Sequence, residues 1–367
     1  MTSDKSKKKS NEKDTVTWER MDDDLNRSLC NCTFAKTVLM LLVILYHSCV
    51  FWTGTWWDTD PAFDSAGLKM IALWLNSFHI YGFTLISGYL FAYKVLKGGY
   101  NVFGPFIKNK VLRLIVPYVF VAIIWLIPVS VALFHISWEK IVSAYFLCTF
   151  PEQLWFLWML FGVFVIAWPL RWVFLNRPKV GYLIAVVLYG IGIIGKKMLP
   201  NVFCFWTACQ YVMFFFIGMR VRVKEEKGEK MITKIIPCYC WIAIDAMAFA
   251  GMMLFGQHIG IVWKALSICL NFVLHVVGAI MAWTTLQAIA KKIQWESCGF
   301  FKTLSFYSMP MYLFHQQLIY FSIILLNGKV NPWINAGANF FIAIVGSLSI
   351  SAVLMKWKTT RMLIGEK

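Results

Sequence analysis

The chain has 367 residues, of which 59% are hydrophobic, 17% aromatic and only 14% charged. Roughly a quarter of the residues in a soluble globular protein are charged, so this composition excludes a soluble multidomain enzyme. The formal net charge is +17, but the basic residues lie in short clusters between long apolar runs and form no stripe that would suit nucleic acid. The composition predicts an integral membrane protein whose positive charge meets the lipid bilayer.

The chain begins with a polar segment, residues 1–33, which lacks apolar periodicity and is expected to be a disordered cytosolic tail. Ten apolar runs follow, most of them close to the roughly 20 residues that cross a hydrocarbon core of about 30 Å as a helix. The predicted spans are residues 34–53, 68–93, 114–134, 154–170, 180–195, 202–219, 236–255, 262–286, 304–326 and 334–355. The expected fold is therefore an all-α polytopic transmembrane bundle over residues 34–356, with a second cytosolic tail over residues 357–367.

The distribution of basic residues predicts the orientation of this bundle. If the N-terminus lies inside, the six inner segments hold 29 of the 35 Lys and Arg residues. Short cytoplasmic loops carry such an excess of Lys and Arg, so both termini are expected in the cytosol. The even number of spans agrees with that orientation, and the expected location is the cell membrane.

The cysteines do not indicate a metal site. Ten are scattered along the chain, mostly inside predicted spans, where a buried free thiol is the ordinary interpretation. Cys30 with Cys32, and Cys238 with Cys240, form C-x-C pairs that could bind metal or accept palmitate. No histidine cluster completes either pair, so no metal is predicted.

Four histidines lie well inside predicted spans, at similar depths. At 1.5 Å per residue they lie about 16 to 21 Å from the inner ends of their helices; they are His47, His79, His275 and His315. An ionisable side chain at this depth is costly and by default lines a cavity. The alternative is a structural hydrogen bond between helices. The structural interpretation is favoured for His275 and for Asp245, which either pairs with His275 or solvates a polar pocket.

The sequence around His47, together with four later segments, forms a set of motifs. Residues 34–47 read F-A-K-T-V-L-M-L-L-V-I-L-Y-H, with Lys36 eleven positions before His47. This run resembles the first helix of the acyltransferase-3 family, integral membrane enzymes that acylate sugars and other carbohydrates. Four further segments resemble that family in the same order: F-H-I-Y-G-F-T-L-I-S-G-Y (78–89), K-V-L-R-L-I-V-P-Y (110–118), L-W-F-L (154–157) and S-F-Y-S-M-P-M-Y-L-F-H (305–315). Lysine in the first motif and histidine in the second resemble the fucose 4-O-acetylase-like branch.

The resemblance implies an O-acyltransferase that takes an acyl group from cytosolic acyl-CoA. The expected donor is acetyl-CoA, used as a co-substrate with no bound cofactor, and the acceptor is a hydroxyl of a lipid-linked or exported carbohydrate. His47 is the candidate general base, because an imidazole with a pKa near 6.5 accepts a proton at neutral pH. The implied substrate-binding residues are Lys36, His79, Ser87, Lys110, Arg113, Trp155 and His315.

The sequence suggests a different role for each group of these binding residues. Lys110 and Arg113 are expected to meet the phosphates of coenzyme A, as is Lys36, unless it is a snorkelling helix-end lysine. Four other cations near the inner loops could also meet phosphate, although positive-inside topology alone would place them there: Lys97, Lys108, Arg220 and Arg222. His79 and His315 could orient the acceptor, stabilise the oxyanion or share the proton.

Two residues at the expected outer boundary have open interpretations. Trp155 either stacks on a sugar ring or anchors the helix at the membrane interface. Glu152 either binds sugar hydroxyls or faces water.

Two other functions stay open at this point. Ten helices with polar groups at mid-depth, and glycine breaks at Gly82, Gly88 or Gly218, would also suit a transporter or flippase of lipid-linked sugars or polysaccharide. A non-catalytic membrane partner of a polysaccharide assembly complex is the third possibility. The sequence does not indicate an oligomeric state.

Overall fold

The computed structural model describes the backbone of residues 4–55, 59–229, 235–256 and 260–366, and the same side chains apart from 4–26 and 261. Within these ranges the regular structure is helical, and ten helices are long and apolar enough to span a membrane. They are α1 (Asp4–Cys49), α2 (Ala66–Leu96), α3 (Phe103–Phe134), α4 (Trp155–Asn176), α5 (Pro178–Met198), α6 (Phe205–Glu226), α7 (Cys238–Phe255), α8 (Ile261–Lys292), α9 (Ser308–Leu326) and α10 (Pro332–Leu354). The predicted all-α bundle of ten spans is confirmed.

The two predicted tails are partly helical. Residues 27–33, which were expected to be disordered, continue α1, because Asn31 and Cys32 already pack inside the bundle. The rest of the first tail, residues 1–26, has no described side chains. In the second tail a short helix, Lys358–Leu363, packs against α3, and Ile364 after it is fully buried. The cytosolic orientation of both termini stays a prediction.

The most buried helices form the centre of the bundle. The spans of α1, α2, α6 and α9 are mostly buried by protein, whereas α5, α7 and α10 present most of their residues outward. Lipid chains are as apolar as leucine, so an outward apolar face costs nothing. Buried polar residues lie where protein groups can satisfy them, including Asn339 and Ser347 on the inner face of α10.

Helices α2 and α6 cross at two glycines with their backbones in contact. A Cβ atom on Gly88 would lie 1.9 Å from the carbonyl oxygen of Phe215, and one on Gly218 would lie 1.9 Å from that of Leu85. Small residues permit this approach between membrane helices. Both helices continue through their glycines, so Gly88 and Gly218 are packing contacts, and their interpretation as helix breaks is wrong.

Helix α3 contains two π-helical turns, Val111–Ile115 and Ala122–Leu126. Each lies just before a proline, Pro117 or Pro128. Proline lacks an N–H and its ring clashes with the carbonyl of the preceding turn, so the helix widens ahead of it. The first of these turns contains Arg113.

The α2–α6 crossing can be tested with a single methyl group. We expect Gly88→Ala to lower the melting temperature of the purified protein by several degrees, because overpacking against backbone typically costs about 1–3 kcal/mol. Gly190→Ala in α5 is the matched control, since its methyl would enter open space. Thermal unfolding in detergent measures both variants, and equal melting temperatures would contradict the close crossing.

Candidate active site

Two of the predicted histidines meet between α1 and α9. Nε2 of His315 lies 3.1 Å from Nδ1 of His47, and the ring centroids are 4.9 Å apart. The two residues are separated by 268 positions in the chain. The structure thus brings together two motifs that the sequence shows only as separate segments.

The backbone carbonyls around the pair assign its protons. Nδ1–H of His315 donates to the carbonyl of Tyr312 at 2.8 Å, so Nε2 of the neutral ring is an acceptor. Nδ1–H of His47 points to both the carbonyl of Val43, at 3.0 Å, and Nε2 of His315. The proton of His47 therefore lies on Nδ1, and Nε2 is the unprotonated nitrogen. This is the tautomer that a general base requires.

His79 on α2 is a third imidazole close to this pair, and Tyr46 contacts both His79 and His47. Nδ1–H of His79 donates to the carbonyl of Leu75 at 2.5 Å. The ring of Tyr46 lies between two histidines, with its centroid 5.0 Å from that of His79 and 4.9 Å from that of His47. His79 and His315 are buried, whereas Tyr46 and His47 keep part of their surface open. His47 is thus the most accessible of these three histidines.

His275 and Asp245 lie apart from this group and do not pair with each other. Nδ1–H of His275 donates to the carbonyl of Ser77 at 3.0 Å, and its ring stacks on Tyr81 at 4.1 Å. Asp245 accepts a hydrogen bond from the indole of Trp74 at 2.9 Å. The structural interpretation of His275 agrees with this contact, which joins α8 to α2, while the suggested Asp245–His275 pair is wrong.

The predicted cations lie at one end of the bundle, the basic end, where Lys36 of α1 is close enough to Arg113 of α3 to interact electrostatically. Lys110 lies over the ring of Phe164, with Nζ 3.6 Å from the centroid, while Arg113 is exposed. Lys36 and Arg113 interact electrostatically with each other and with Glu366. Burial raises the pKa of the Glu366 carboxyl, and the two cations oppose that shift. This cationic cluster, Lys36, Lys110 and Arg113, could hold a polyanionic ligand.

Two other arginines near this end already have protein partners. Arg220 is buried and donates to the carbonyls of Phe174 and Leu175 at the end of α4. Arg222 pairs with Glu226 one turn along α6. Both side chains act within the protein at helix ends, which supports leaving them out of the predicted donor site.

Ser87 and Trp155, the other two predicted binding residues, both contact protein groups. The hydroxyl of Ser87 donates to the carbonyl of Phe83 at 2.9 Å, so it is bonded within its own helix beside the α2–α6 crossing. Trp155 begins α4 and packs edge-on against Tyr211 of α6, with centroids 5.8 Å apart. Its ring is half-buried against protein, and sugar stacking and interfacial anchoring both stay predictions for this tryptophan.

A polar cluster that the sequence did not predict surrounds Glu152, just before α4. The carboxylate accepts hydrogen bonds from Ser130 at 2.7 Å, from the hydroxyl of Tyr145 and from Gln317 at 2.9 Å. Burial, followed by the neighbouring carboxylate, raises the pKa of the Tyr145 phenol, which keeps it a donor. Glu152 is only partly exposed and does not simply face water. The sequence signal was an acidic residue two positions before L-W-F-L.

The described residues contain no group of three or more His, Cys, Asp or Glu side chains that could hold a metal ion. In the C-x-C pair of α1, Cys30 is exposed and Cys32 is buried. The polar groups of the site are therefore a hydrogen-bonded pair of imidazoles, the cationic cluster at the basic end and the Glu152 carboxylate before α4.

The comparisons with known proteins identify the family. A family model described as an acyltransferase domain, acyltransferase-3, matches residues 33–356. Neither a search of curated proteins nor a search of solved structures gives a match. The match spans the ten helices and every motif quoted above, which confirms the family resemblance. This chain is a member of the acyltransferase-3 family of membrane acyltransferases.

Proposed function

We propose that this protein is a membrane O-acyltransferase that moves an acyl group, taken to be acetyl, from cytosolic acyl-CoA to a hydroxyl of a lipid-linked or exported carbohydrate. The observation that carries the proposal is the His47–His315 hydrogen bond, which leaves Nε2 of His47 unprotonated on a partly open side chain. The fucose 4-O-acetylase-like motifs support a sugar acceptor, and the cell membrane is the proposed location.

The proposed reaction is a single transfer in which the acceptor hydroxyl attacks the thioester carbonyl. Nε2 of His47 takes the hydroxyl proton as the new C–O bond forms. The C–S bond then breaks, and the proton passes from the imidazole to the departing sulfur, which leaves as the thiol of coenzyme A. His315 accepts the hydrogen bond from Nδ1–H of His47 and holds the ring in this tautomer.

The proposed donor site is the cationic cluster at the basic end. Coenzyme A carries phosphates, for which guanidinium and ammonium groups are suitable partners. Lys110 is held by ring contacts with Tyr100, Phe106 and Phe164. Arg113 is exposed in a π-turn of α3, where a ligand can approach it.

The role of His47 is tested by substitution in a purified enzyme assay. We expect His47→Gln to lower kcat by about 10²–10⁴-fold, the usual contribution of a general base. His275→Gln is the matched control, because that histidine lies at a similar depth but bonds to Ser77 outside the pair. The measurement is acceptor-dependent release of coenzyme A from labelled acetyl-CoA in lipid nanodiscs. Full activity in well-expressed His47→Gln protein would remove His47 from the mechanism.

The same assay separates the enzyme from a transporter. A flippase or a passive partner would release no coenzyme A when the acceptor is added, whereas the proposed enzyme releases it in proportion to acylated product. Mass spectrometry of the surface glycans, with and without the gene, then identifies the modified sugar.

The donor site is tested through Arg113. We expect Arg113→Ala to raise the KM for acyl-CoA by about tenfold or more, because a charge-assisted contact with phosphate is lost, while kcat changes little. Lys108→Ala is the matched control, since it removes one exposed positive charge from the same segment and should have a smaller effect. An unchanged KM in Arg113→Ala would leave this arginine with a structural role only.

A further inference from the structure

Glu152 has an unusual backbone conformation for a residue with a side chain. Its φ is +45°, in the left-handed region, at the turn that leads into α4. Such a conformation costs about 1–3 kcal/mol and persists only where the surroundings hold it. In Glu152 the side chain is held by hydrogen bonds to its carboxylate from several elements.

The carboxylate of Glu152 is fully supplied with donors. Oε1 accepts from Ser130 and Tyr145. Oε2 accepts from Gln317 at 2.9 Å, from the hydroxyl of Tyr320 at 3.3 Å and from Gln316 at 3.5 Å. Two carboxylate oxygens offer about four lone-pair directions, so five donors leave little capacity for a sugar hydroxyl. This favours an internal role for Glu152 over direct binding of the acceptor.

The donors to Oε2 all lie on α9, immediately after His315. Residues 316, 317 and 320 follow His315 by one, two and five positions. The next residue of the turn, Gln153, holds the same helix on both sides of that histidine. Its side chain donates to the carbonyl of Leu313 at 3.2 Å and to Gln317 at 2.7 Å, and its carbonyl accepts from the hydroxyl of Tyr312.

These contacts join the turn to α9 on both sides of His315 and so restrain the rotation of the helix there. The His315–His47 bond is 3.1 Å long and tolerates little rotation, because hydrogen bonds weaken steeply with misalignment. A misplacement of about 1 Å at a catalytic group can cost 10²-fold in rate. α9 also packs along α10 and against α1, and the Glu152–Gln153 turn adds hydrogen bonds before and after this histidine.

We propose that Glu152 is a positioning residue: its carboxylate locks α9 so that Nε2 of His315 meets Nδ1–H of His47. This inference rests on the proposed function for its catalytic consequence, but the hydrogen bond itself is independent of activity. The turn before α4 thus acts on the imidazole pair through α9, without touching the reacting atoms.

The first test exchanges the carboxylate for an amide. Glu152→Gln places an NH₂ group against donors, so we expect kcat to fall by about a hundredfold while the KM values for acyl-CoA and for the acceptor stay unchanged. A rise confined to the acceptor KM would overturn the proposal and make Glu152 a ligand of the acceptor. The double variant Glu152→Gln, Gln317→Glu restores one amide–carboxylate pair across the same 2.9 Å contact and should recover much of kcat.

The second test does not need activity. The chain has six histidines, so ¹⁵N-histidine labelling gives a small set of ring signals in lipid nanodiscs, with His315 assigned by its loss in His315→Gln. We expect Glu152→Gln to shift the Nε2 signal of His315 away from its hydrogen-bonded value, and the double variant to restore it. An unshifted signal would overturn the proposal. A shifted signal in a protein that acylates nothing would preserve the positioning role and reject the proposed function.

Tyr145→Phe is a milder variant that tests the same proposal if Glu152→Gln does not fold. It removes one donor to Oε1 and keeps the charge and the contacts to α9. We expect a smaller fall in kcat and a smaller shift of the same ring signal. Wild-type values for both would contradict the proposed lock.

Discussion

A hydrogen bond between two imidazoles in the interior of the bundle is the interaction on which the site depends. His315 is fully buried, and each ring has protein partners. His315 uses Tyr312 and His47, and His47 uses Val43 and His315. These bonds place the proton of the His47 ring on Nδ1, so Nε2 is the nitrogen that can accept a proton.

The bundle separates three kinds of polar chemistry along its depth. Cations, with Lys36 and Arg113 among them, lie at the basic end, the imidazoles lie between the ends, and the Glu152 carboxylate lies at the start of α4. Two of these arrangements use a local irregularity: Arg113 lies in a π-helical turn, and Glu152 has a left-handed backbone conformation. Helical backbone satisfies its own hydrogen bonds, so irregular backbone is confined to places where side chains or packing compensate.

Much of the fold and part of the site were predictable. Spans are visible in hydropathy because each helix satisfies its backbone locally and needs only enough apolar residues to cross. The motifs singled out His47, His79 and His315 because an ionisable residue at that depth requires a reason. Gly88 was misinterpreted, since a glycine that breaks a helix and one that admits a neighbouring backbone look alike until the neighbour is known.

The sequence by itself determined the number of helices, their approximate limits and the family, because these follow from local composition and from motifs within single segments. The tertiary structure alone decided which histidines touch, because contacts across 268 positions depend on how helices pack. It separated His275 from the pair and revealed the donors around Glu152, which come from elements far apart in the chain. Hydropathy records how much a residue prefers lipid or water, and it carries no information about the partner that satisfies a polar group.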